Sequence, residues 1–397
     1  MVKQKSPSGG VADEDILNIC IMKIVYCLEG LHYSGGLERI IVSKANYLVS
    51  QGIEVCIITS EDNDKPSFFK LDSRVKHYDL GINFYAHCND SLYKQLYYNF
   101  NCKIKYKHSL LNLLNEISPD IVISTFNREL CVLTHYNGTK ILEYHFSRYA
   151  FEEYHRLKSF KFYDVWRHRK FLKAISRYDR FVVLTHEDAE NWKEFEHVAV
   201  IPNINSFECE ESALLNQPVV MAAGRLTEQK GFDKLIEAWS IVCKKVDGWF
   251  LHIYGEGALR NELQKLIDKE GLSKRCFLDG VCNNMKEKYL GSSIFVLSSV
   301  YEGFGLVLTE AMTCGVPVVS FACPCGPRDI IADEESGFLV SQGNVEELAD
   351  KLIYLIQNPE KRKEMGTKAK LSAVNFSKEK VMKMWIELFE DLCNNRK

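Results

Sequence analysis

The sequence predicts an α/β protein built from two doubly wound parallel sheets, and three observations support this. Buried β-branched runs alternate with runs of helical spacing, as strands and helices do in parallel sheets. This alternation stops in the polar stretch 203–218 and then restarts. The chain has 397 residues and 46% hydrophobic content, enough for roughly two to three domains. We therefore expect two domains of similar size.

The first half follows a strand, glycine turn, helix, strand order. It begins with "KIVYCL", a buried strand, continues with a helix opened by "HYSGGLERI", and reaches the next strand at "EVCIIT". The alternation goes on with "SLLNLLNEI", "DIVIST", "KILEYH" and "RFVVLT" before "HEDAENWKEF". We assign residues 22–203 to an N-terminal domain. Because "MKIVYCLEG" begins abruptly at Met22, we expect that residue to be the functional start and residues 1–21 to be a disordered extension.

The second half restarts with the strand "VVMAAGR" and the helix "FDKLIEAWSIVCKKV". Further strands are predicted at "WFLHIYG", "CFLDG", "IFVLSS", "VPVVSF" and "GFLV", so we assign residues 204–375 to a second domain. The tail 376–397 is predicted to form an amphipathic helix that crosses back to the first domain. Its expected apolar face consists of Val381, Met384, Trp385, Leu388 and Phe389.

Composition excludes several functional classes. The net charge of -3 and the pI near 6.4 argue against a dedicated nucleic-acid-binding protein. No run approaches the roughly 18 apolar residues that a membrane span needs, and the first residues lack a secretory signal pattern. The fourteen cysteines follow no zinc-ligand spacing. We therefore expect reduced thiols, a cytoplasmic location and no metal site.

Two carboxylates bracket a glycine-rich turn in "VYEGFGLVLTEAMTCG" (300–315). Gly303 and Gly305 allow the backbone to approach a ligand closely, and the free amides at the start of the following helix favour phosphate. Glu302 and Glu310 would repel a phosphate, but carboxylates accept hydrogen bonds strongly. We therefore expect them to bind hydroxyls of a ribose and a sugar on either side of a diphosphate.

Two cations lie in "GRLTEQKG" (224–231), a loop between a predicted strand and a predicted helix. Arg225 and Lys230 can neutralise a diphosphate leaving group without a metal ion. The alternative is that they are solvated loop charges. The nearby pair of Glu302 and Glu310 favours the first interpretation.

In this order, "GRLTEQKGFDKLIEAW", "YGEG" and the E-x7-E of "EGFGLVLTE" resemble the retaining glycosyltransferases of family 4, which have the GT-B fold. The resemblance implies two Rossmann-like domains facing a central cleft, with no obligatory metal. It implies that Glu310 binds the ribose of a nucleotide sugar and that Glu302 contacts the transferred sugar. Arg225 and Lys230 would hold the diphosphate. The amides expected around the phosphate and the sugar are those of Phe304, Gly305, Leu306 and Val307.

The first domain carries weaker parts of the same resemblance. "SGGLER" resembles the glycine loop of the family, so Gly35 and Gly36 would face the donor phosphates and the acceptor; the alternative is a plain tight turn. His145 matches a family histidine near the reacting sugar, although a lone histidine can also be structural. "IPN" (201–203) resembles a signature close to the hinge, which makes Asn203 a further candidate.

The resemblance implies transfer of a sugar from a nucleotide diphosphate sugar, with UDP as the expected nucleotide, to a glycan or a polyprenyl-diphosphate-linked acceptor. The expected mechanism is a front-face displacement with retention. "FACPCGPRDII" (321–331) resembles a subset that uses galactose or N-acetylgalactosamine donors. Two alternatives stay open. One is an inactive nucleotide-sugar-binding partner of another transferase, and the other is an NAD(P)-dependent oxidoreductase, which the missing third glycine after "YGEG" disfavours.

The segment 154–180 is strongly basic, with nine Lys or Arg residues against two Asp residues, a net +7. Aromatic residues are interleaved with these charges, as in segments that lie at a lipid headgroup interface. They are Tyr154, Phe160, Phe162, Tyr163, Trp166 and Phe171. We expect peripheral membrane contact here; the alternative is a solvated helix face with its aromatic rings packed inward.

Overall fold

The computed structural model describes residues 22–394 except Ser34, Asp64, Tyr85, 87–90, 126–127 and 150–160. Two parallel sheets confirm the predicted architecture. The last strand of the first sheet ends at Val200 and the first strand of the second begins at Val219. The predicted domain boundary at 203/204 falls between them. The predicted extension 1–21 and residues 154–160 of the basic segment lie outside the described residues.

The first sheet has the strand order β3-β2-β1-β4-β5-β6-β7. Its strands are β1 (Lys23–Leu28), β2 (Glu54–Thr59), β3 (Lys76–Asp79), β4 (Ile121–Ser124), β5 (Thr139–Glu143), β6 (Arg180–Val183) and β7 (Val198–Val200). Its helices are α1 (Gly36–Ser50), α2 (Leu92–Ile117), α3 (Glu129–Leu133), α4 (Lys161–Ile175) and α5 (His186–Asn191). The central strands are buried runs because helices cover both faces of the sheet. On β1, Ile24 and Tyr26 belong to the core on the α1 face, whereas Val25 and Cys27 belong to the core on the α2 and α4 face.

The second sheet has the order β10-β9-β8-β11-β12-β13. Its strands are β8 (Val219–Ala223), β9 (Phe250–Tyr254), β10 (Cys276–Gly280), β11 (Ile294–Leu297), β12 (Val318–Phe321) and β13 (Gly337–Val340). Its helices are α6 (Phe232–Lys245), α7 (Arg260–Lys269), α8 (Met285–Leu290), α9 (Leu306–Thr313), α10 (Pro327–Ile330), α11 (Val345–Gln357) and α12 (Pro359–Ala373). Short 3-10 turns occupy Glu228–Lys230 and Val374–Phe376.

In each sheet the chain reverses its direction of winding at one place. The reversal lies between β1 and β4 in the first sheet and between β8 and β11 in the second. Ligands of doubly wound sheets bind beyond the carboxyl ends of the strands at this point. The loop after β1 carries Gly35, with Gly36 as the first residue of α1. The loops after β8 and β11 carry Arg225 and Lys230, and Glu302, respectively. Topology therefore brings the sequence-predicted residues to the two reversal points.

The C-terminal helix α13 (Lys378–Asn394) crosses back to the first domain, as predicted. Val381, Trp385 and Phe389 belong to the same core as Ile24 and other first-domain residues. The expected role of Met384 in this face is wrong, since Met384 is 37% exposed and Met382 points inward instead. At 3.6 residues per turn, Met384 lies about 110° from the centre of the buried face.

The basic segment is only partly consistent with its predicted role. On α4, Trp166 is 56% exposed, whereas Phe171 is 6% exposed and packs with Ile175 in the core under the first sheet. The prediction that the Phe171 ring lies at a lipid interface is therefore wrong. Among the described residues, no helix combines the length and apolar character needed to cross a membrane.

Candidate active site

The loops after β8 and β11 are bonded to each other along their backbones. The amide of Val300 donates to the carbonyl of Gln229 at 2.8 Å, and the Ser298 hydroxyl donates to the carbonyl of Lys230 at 2.8 Å. Gly231 has φ 57°, and a Cβ there would overlap the carbonyl oxygen of Ser298. Glycine is required at this position because both the left-handed backbone and the close approach exclude a side chain. The contact brings the predicted cationic stretch 224–231 next to the predicted glutamate-containing stretch 300–315.

Lys230 and Glu302 form an ion pair at the resulting junction. Lys230 Nζ lies 2.6 Å from Glu302 Oε1, and the Ser299 hydroxyl donates to the same oxygen at 2.6 Å. The side chains of Lys230 and Glu302 are 13% and 8% exposed. Each group therefore neutralises the other, and both side chains are largely shielded from solvent.

Arg225 occupies the same loop as Lys230, with an exposed side chain. The loop is supported by the "YGEG" turn after β9. A Cβ on Gly255 would overlap the carbonyl oxygen of Gly224, and one on Gly257 would overlap that of Leu226. Gly255 and Gly257 therefore allow the loop after β9 to pack closely against the loop after β8. This packing explains the glycines of "YGEG", so the motif need not be part of a dinucleotide-binding fingerprint.

Glu310 is buried on α9, one turn after the helix begins. Its Oε2 accepts a hydrogen bond from the Tyr289 hydroxyl at 2.8 Å, and its Oε1 lies 3.8 Å from Arg39 Nη1 of the first domain. Burial raises the pKa of Glu310, while Tyr289 and Arg39 favour its charged form. The carboxylate is thus held between the two domains.

The turn 323–326 packs against the "EGFG" stretch. The amide of Glu302 donates to the carbonyl of Pro324 at 3.1 Å. Gly326, with φ 117°, lies so close that a Cβ would overlap the carbonyl oxygen of Phe304. The Phe304 ring is buried 5.5 Å from the ring of Phe376, and Gly305 caps α9 with φ 98°. The "CPCG" segment therefore fixes the turn that presents Glu302 and the first amides of α9, those of Leu306 and Val307.

The first domain contacts this turn directly. A Cβ on Gly303 would overlap the carbonyl oxygen of His145, and one on Gly36 would lie 3.7 Å from Leu306 Cδ1. Gly35 precedes α1 in extended conformation, with φ -75°. The two glycine stretches therefore face each other across the cleft, with His145 beside Gly303.

His145 lies two residues beyond the end of β5 rather than at the end of the strand. Its Nε2 is 3.0 Å from Glu143 Oε1. Both oxygens of Glu143 accept from Lys44 Nζ at 2.7 Å, and Lys44 Nζ is 3.5 Å from the centre of the Trp385 ring. Burial lowers the pKa of Lys44 to about 8, and burial alone would raise that of Glu143, but Lys44 and His145 lower it to about 2. A buried charge cluster therefore connects His145 to α13.

Two family models match this chain. The model of glycosyl transferases group 1 matches residues 207–372, and the model of glycosyltransferase family 4 matches residues 34–204. Together they cover most of both domains and every candidate site residue predicted from the sequence. The chain is a glycosyltransferase with a family 4 domain followed by a group 1 domain.

Two curated relatives of this glycosyltransferase that cover most of the chain come from bacteria. It is 29% identical to an uncharacterised glycosyltransferase of Haemophilus influenzae, over 91% of this chain and 98% of the relative. It is 28% identical to a Campylobacter jejuni α-1,4-N-acetyl-D-galactosaminyltransferase named for a diNAcBac-PP-undecaprenol-linked substrate, over 94% of this chain and all of that protein.

Solved structures show the same GT-B fold at low sequence identity. TarM matches with a TM-score of 0.74 and 18% identity, over 93% of this chain and 99% of TarM. The lipopolysaccharide outer core galactosyltransferase WaaB matches with a TM-score of 0.70 and 21% identity, over 95% of this chain and all of WaaB. Anabaena HepE, solved with UDP and glucose, matches with a TM-score of 0.70 and 16% identity, over 93% of this chain and all of HepE.

Asn203 of the glycosyltransferase lies in the connection between the two sheets. Asn203 is buried three residues after β7, at the start of the connection between the sheets. Nearby, Asn205 Nδ2 donates to Thr313 Oγ1 at 2.9 Å and so contacts the end of α9. A ligand role for Asn203 stays a prediction.

Sequence reasoning missed Arg39, Tyr289, Lys44 and Glu143 of the glycosyltransferase. Arg39 could have been noticed, because a cation in the first turn of a helix is unfavourable with the helix dipole and needs an acidic partner. Tyr289 lies in α8, which no motif marked. Lys44 and Glu143 are separated by 99 positions, and no local pattern relates them.

Proposed function

We propose that this glycosyltransferase moves a hexose or N-acetylhexosamine from a UDP-sugar to a glycan or lipid-linked oligosaccharide, with retention of anomeric configuration. The observation that carries the proposal is the Lys230–Glu302 pair beside the N-terminus of α9, with His145 opposite. Cations and helix amides suit a diphosphate, and carboxylates suit the hydroxyls on either side of it.

The proposed mechanism is a front-face displacement. The bond between C1 of the sugar and the diphosphate oxygen loosens to an oxocarbenium-like state, and Arg225 and Lys230 stabilise the departing diphosphate. A diphosphate oxygen takes the proton of the acceptor hydroxyl as the new C1–O bond forms. No side chain acts as nucleophile.

We assign the two glutamates different contacts. Within the described residues, the side-chain contacts of Glu302 go to Oε1, so we assign Oε2 to a hydroxyl of the transferred sugar. Glu310, fixed by Tyr289, binds the ribose, and binding displaces the 3.8 Å contact with Arg39. His145 hydrogen-bonds a sugar hydroxyl from the opposite side.

The names of the relatives support a galactose-type donor and a lipid-linked acceptor. The Campylobacter jejuni relative is named as an N-acetylgalactosaminyltransferase acting on an undecaprenol-linked glycan, and WaaB as a galactosyltransferase. The sequence resemblance of 321–331 points to the same donor class. We therefore propose a role in bacterial surface polysaccharide synthesis, on the cytoplasmic side of the membrane and without an obligatory metal.

A donor and acceptor screen tests this function. The full chain is incubated with a panel of UDP-sugars and undecaprenyl-diphosphate-linked acceptors, and the products are detected by mass spectrometry. We expect transfer from one UDP-hexose or UDP-N-acetylhexosamine, with an α linkage by NMR because the donor is α-linked. A β linkage would refute retention. UDP binding without transfer to any acceptor would indicate an inactive nucleotide-sugar-binding partner.

The matched control for the screen is Lys234→Ala, which changes a lysine on α6 outside the proposed site. This variant should transfer sugar like the wild type, while Lys230→Ala should not. Equal activities in both variants would contradict the assignment of the site.

A further inference from the structure

The N-terminal half of α2 exposes a row of large apolar side chains. We call this row the outer stripe; it consists of Tyr93, Leu96, Tyr97, Phe100 and Ile104. These side chains are between 44% and 87% exposed. Single exposed apolar residues are common on protein surfaces, but a contiguous row of five marks an interaction site.

The outer stripe is not the face by which α2 packs on the sheet. Successive residues of a helix are rotated by about 100°, which places the five stripe residues within an arc of roughly 100°. Cys102 and Tyr106, which are 7% and 3% exposed, lie on the opposite side in the core under the first sheet. Packing of α2 therefore does not explain the apolar character of its outer side.

Basic residues flank the stripe on both sides. Lys103 and Lys107 lie along one edge, and Lys94 and Lys105 lie along the other. Residues 91–115 contain no Asp or Glu, so this part of the chain carries +4. An apolar strip between rows of lysines complements a surface with an apolar interior and an anionic outer layer, as in an anionic lipid bilayer.

The stripe lies at the edge of the first sheet that carries the proposed site. Tyr98, which follows Tyr97 of the stripe and packs against the core, donates from its hydroxyl to the carbonyl of Asn83 at 2.9 Å, in the loop that follows β3. This loop leaves the carboxyl end of the sheet, as do the loops that carry Gly36 and His145. The exposed Trp166 of α4 is on the same face, since α2 and α4 both pack on that core.

We propose that the outer stripe docks the enzyme on an anionic phospholipid bilayer, with its rings and aliphatic side chains inserted among the headgroups and its lysines on the phosphates. The inference rests on the proposed function, because docking at this edge presents the cleft to an acceptor embedded in the membrane. It adds an apolar anchor on α2, where five exposed apolar side chains form a row, to the predicted contact of the basic segment 154–180.

Vesicle flotation of the full chain tests the docking surface. The vesicles are phosphatidylcholine alone and phosphatidylcholine with phosphatidylglycerol, each at low and high salt. We expect the wild type to bind the anionic vesicles at low salt, and Tyr97→Ser with Phe100→Ser to weaken this binding at least tenfold. Lys103→Glu with Lys107→Glu should weaken it at least tenfold as well.

Two matched controls separate docking from a general change of surface. Leu371→Ser removes a 69% exposed apolar residue of α12, and Lys383→Glu reverses a 78% exposed charge of α13. Both should bind the vesicles like the wild type. UDP affinity, measured by calorimetry, should be unchanged in the stripe variants, so loss of vesicle binding is distinguished from loss of the nucleotide site.

Several results would overturn the docking proposal. One is absence of wild-type binding to anionic vesicles at low salt, and another is equal binding by wild type and stripe variants. Concentration-dependent dimerisation that the stripe variants abolish would assign the stripe to a second copy of the chain instead. In each of these cases, normal UDP binding and sugar transfer would leave the proposed function intact.

Discussion

The two walls of the cleft use charge in different ways. On the wall formed by the second domain, Lys230 and Glu302 pair at the edge of the cleft, and Arg225 is exposed. On the wall formed by the first domain, Lys44 and Glu143 are each 1% exposed and bond to each other. In the proposed function, the first set exchanges its partners for a ligand. In the second set, Lys44 and Glu143 bond to each other, Glu143 also contacts His145, and Lys44 contacts Trp385 of α13. These contacts hold His145 and α13 in place.

This difference between the two walls also determines which of their residues could be predicted from the sequence. Arg225, Lys230, Glu302 and Glu310 lie in short stretches beside glycines that turn strands into helices, so local pattern identified them. The strand and helix order also predicted both sheets and the crossing of α13.

The first-domain wall could not be predicted in the same way. Lys44 lies on an otherwise apolar face of α1 and Glu143 at the end of a buried strand, and only the parallel arrangement of the sheet brings them together. The inward side of α13 was also misjudged, because apolar residues occur around much of that helix and only packing selects Met382 over Met384.

The largest expected effect is on stability, from the first-domain wall. Lys44→Met leaves the Glu143 carboxylate buried without its main partner, which should lower the free energy of unfolding by about 3 to 5 kcal/mol. Urea denaturation measures this loss. Adding Glu143→Gln should recover most of this loss of stability, since no buried charge then remains unpaired.

As a control, Lys245→Met breaks an exposed pair with Asp350 and should lower the free energy of unfolding by less than about 1 kcal/mol. A Lys44→Met protein as stable as that control would contradict the comparison.

The next effect is on turnover, from the second-domain wall. Lys230→Ala removes a positive charge that, in the proposed mechanism, stabilises the diphosphate most strongly as it departs. Loss of one preorganised contact of this kind lowers the rate by about a hundred- to a thousandfold. Steady-state kinetics should show the loss, and far-UV circular dichroism should show that the variant is folded like the Lys234→Ala control. Near-normal turnover in a folded Lys230→Ala enzyme would refute its assigned role.

A smaller effect separates the two glutamates. Glu310→Ala should weaken binding of free UDP by about 10- to 100-fold, the range expected for a hydrogen bond to a charged group. Glu302→Ala should leave UDP binding nearly unchanged and affect the donor sugar or the rate, since UDP lacks the sugar. Calorimetric titration with UDP compares the two variants. Equal losses in both would show that the ribose and sugar contacts are not divided between them.

The smallest expected effect is that of chelation, which should leave activity unchanged. Arg225, Lys230 and the first amides of α9 supply positive charge and hydrogen-bond donors at the position where the diphosphate is proposed to bind, so we expect the leaving group to need no bridging cation. Turnover is measured before and after treatment with EDTA and gel filtration. The Lys230→Ala enzyme is the informative control: with one cation removed, added Mg²⁺ should raise its residual rate more than it raises that of the wild type. Complete loss of wild-type activity with EDTA, restored by Mg²⁺ or Mn²⁺, would show that the second-domain wall cannot stabilise the diphosphate by itself.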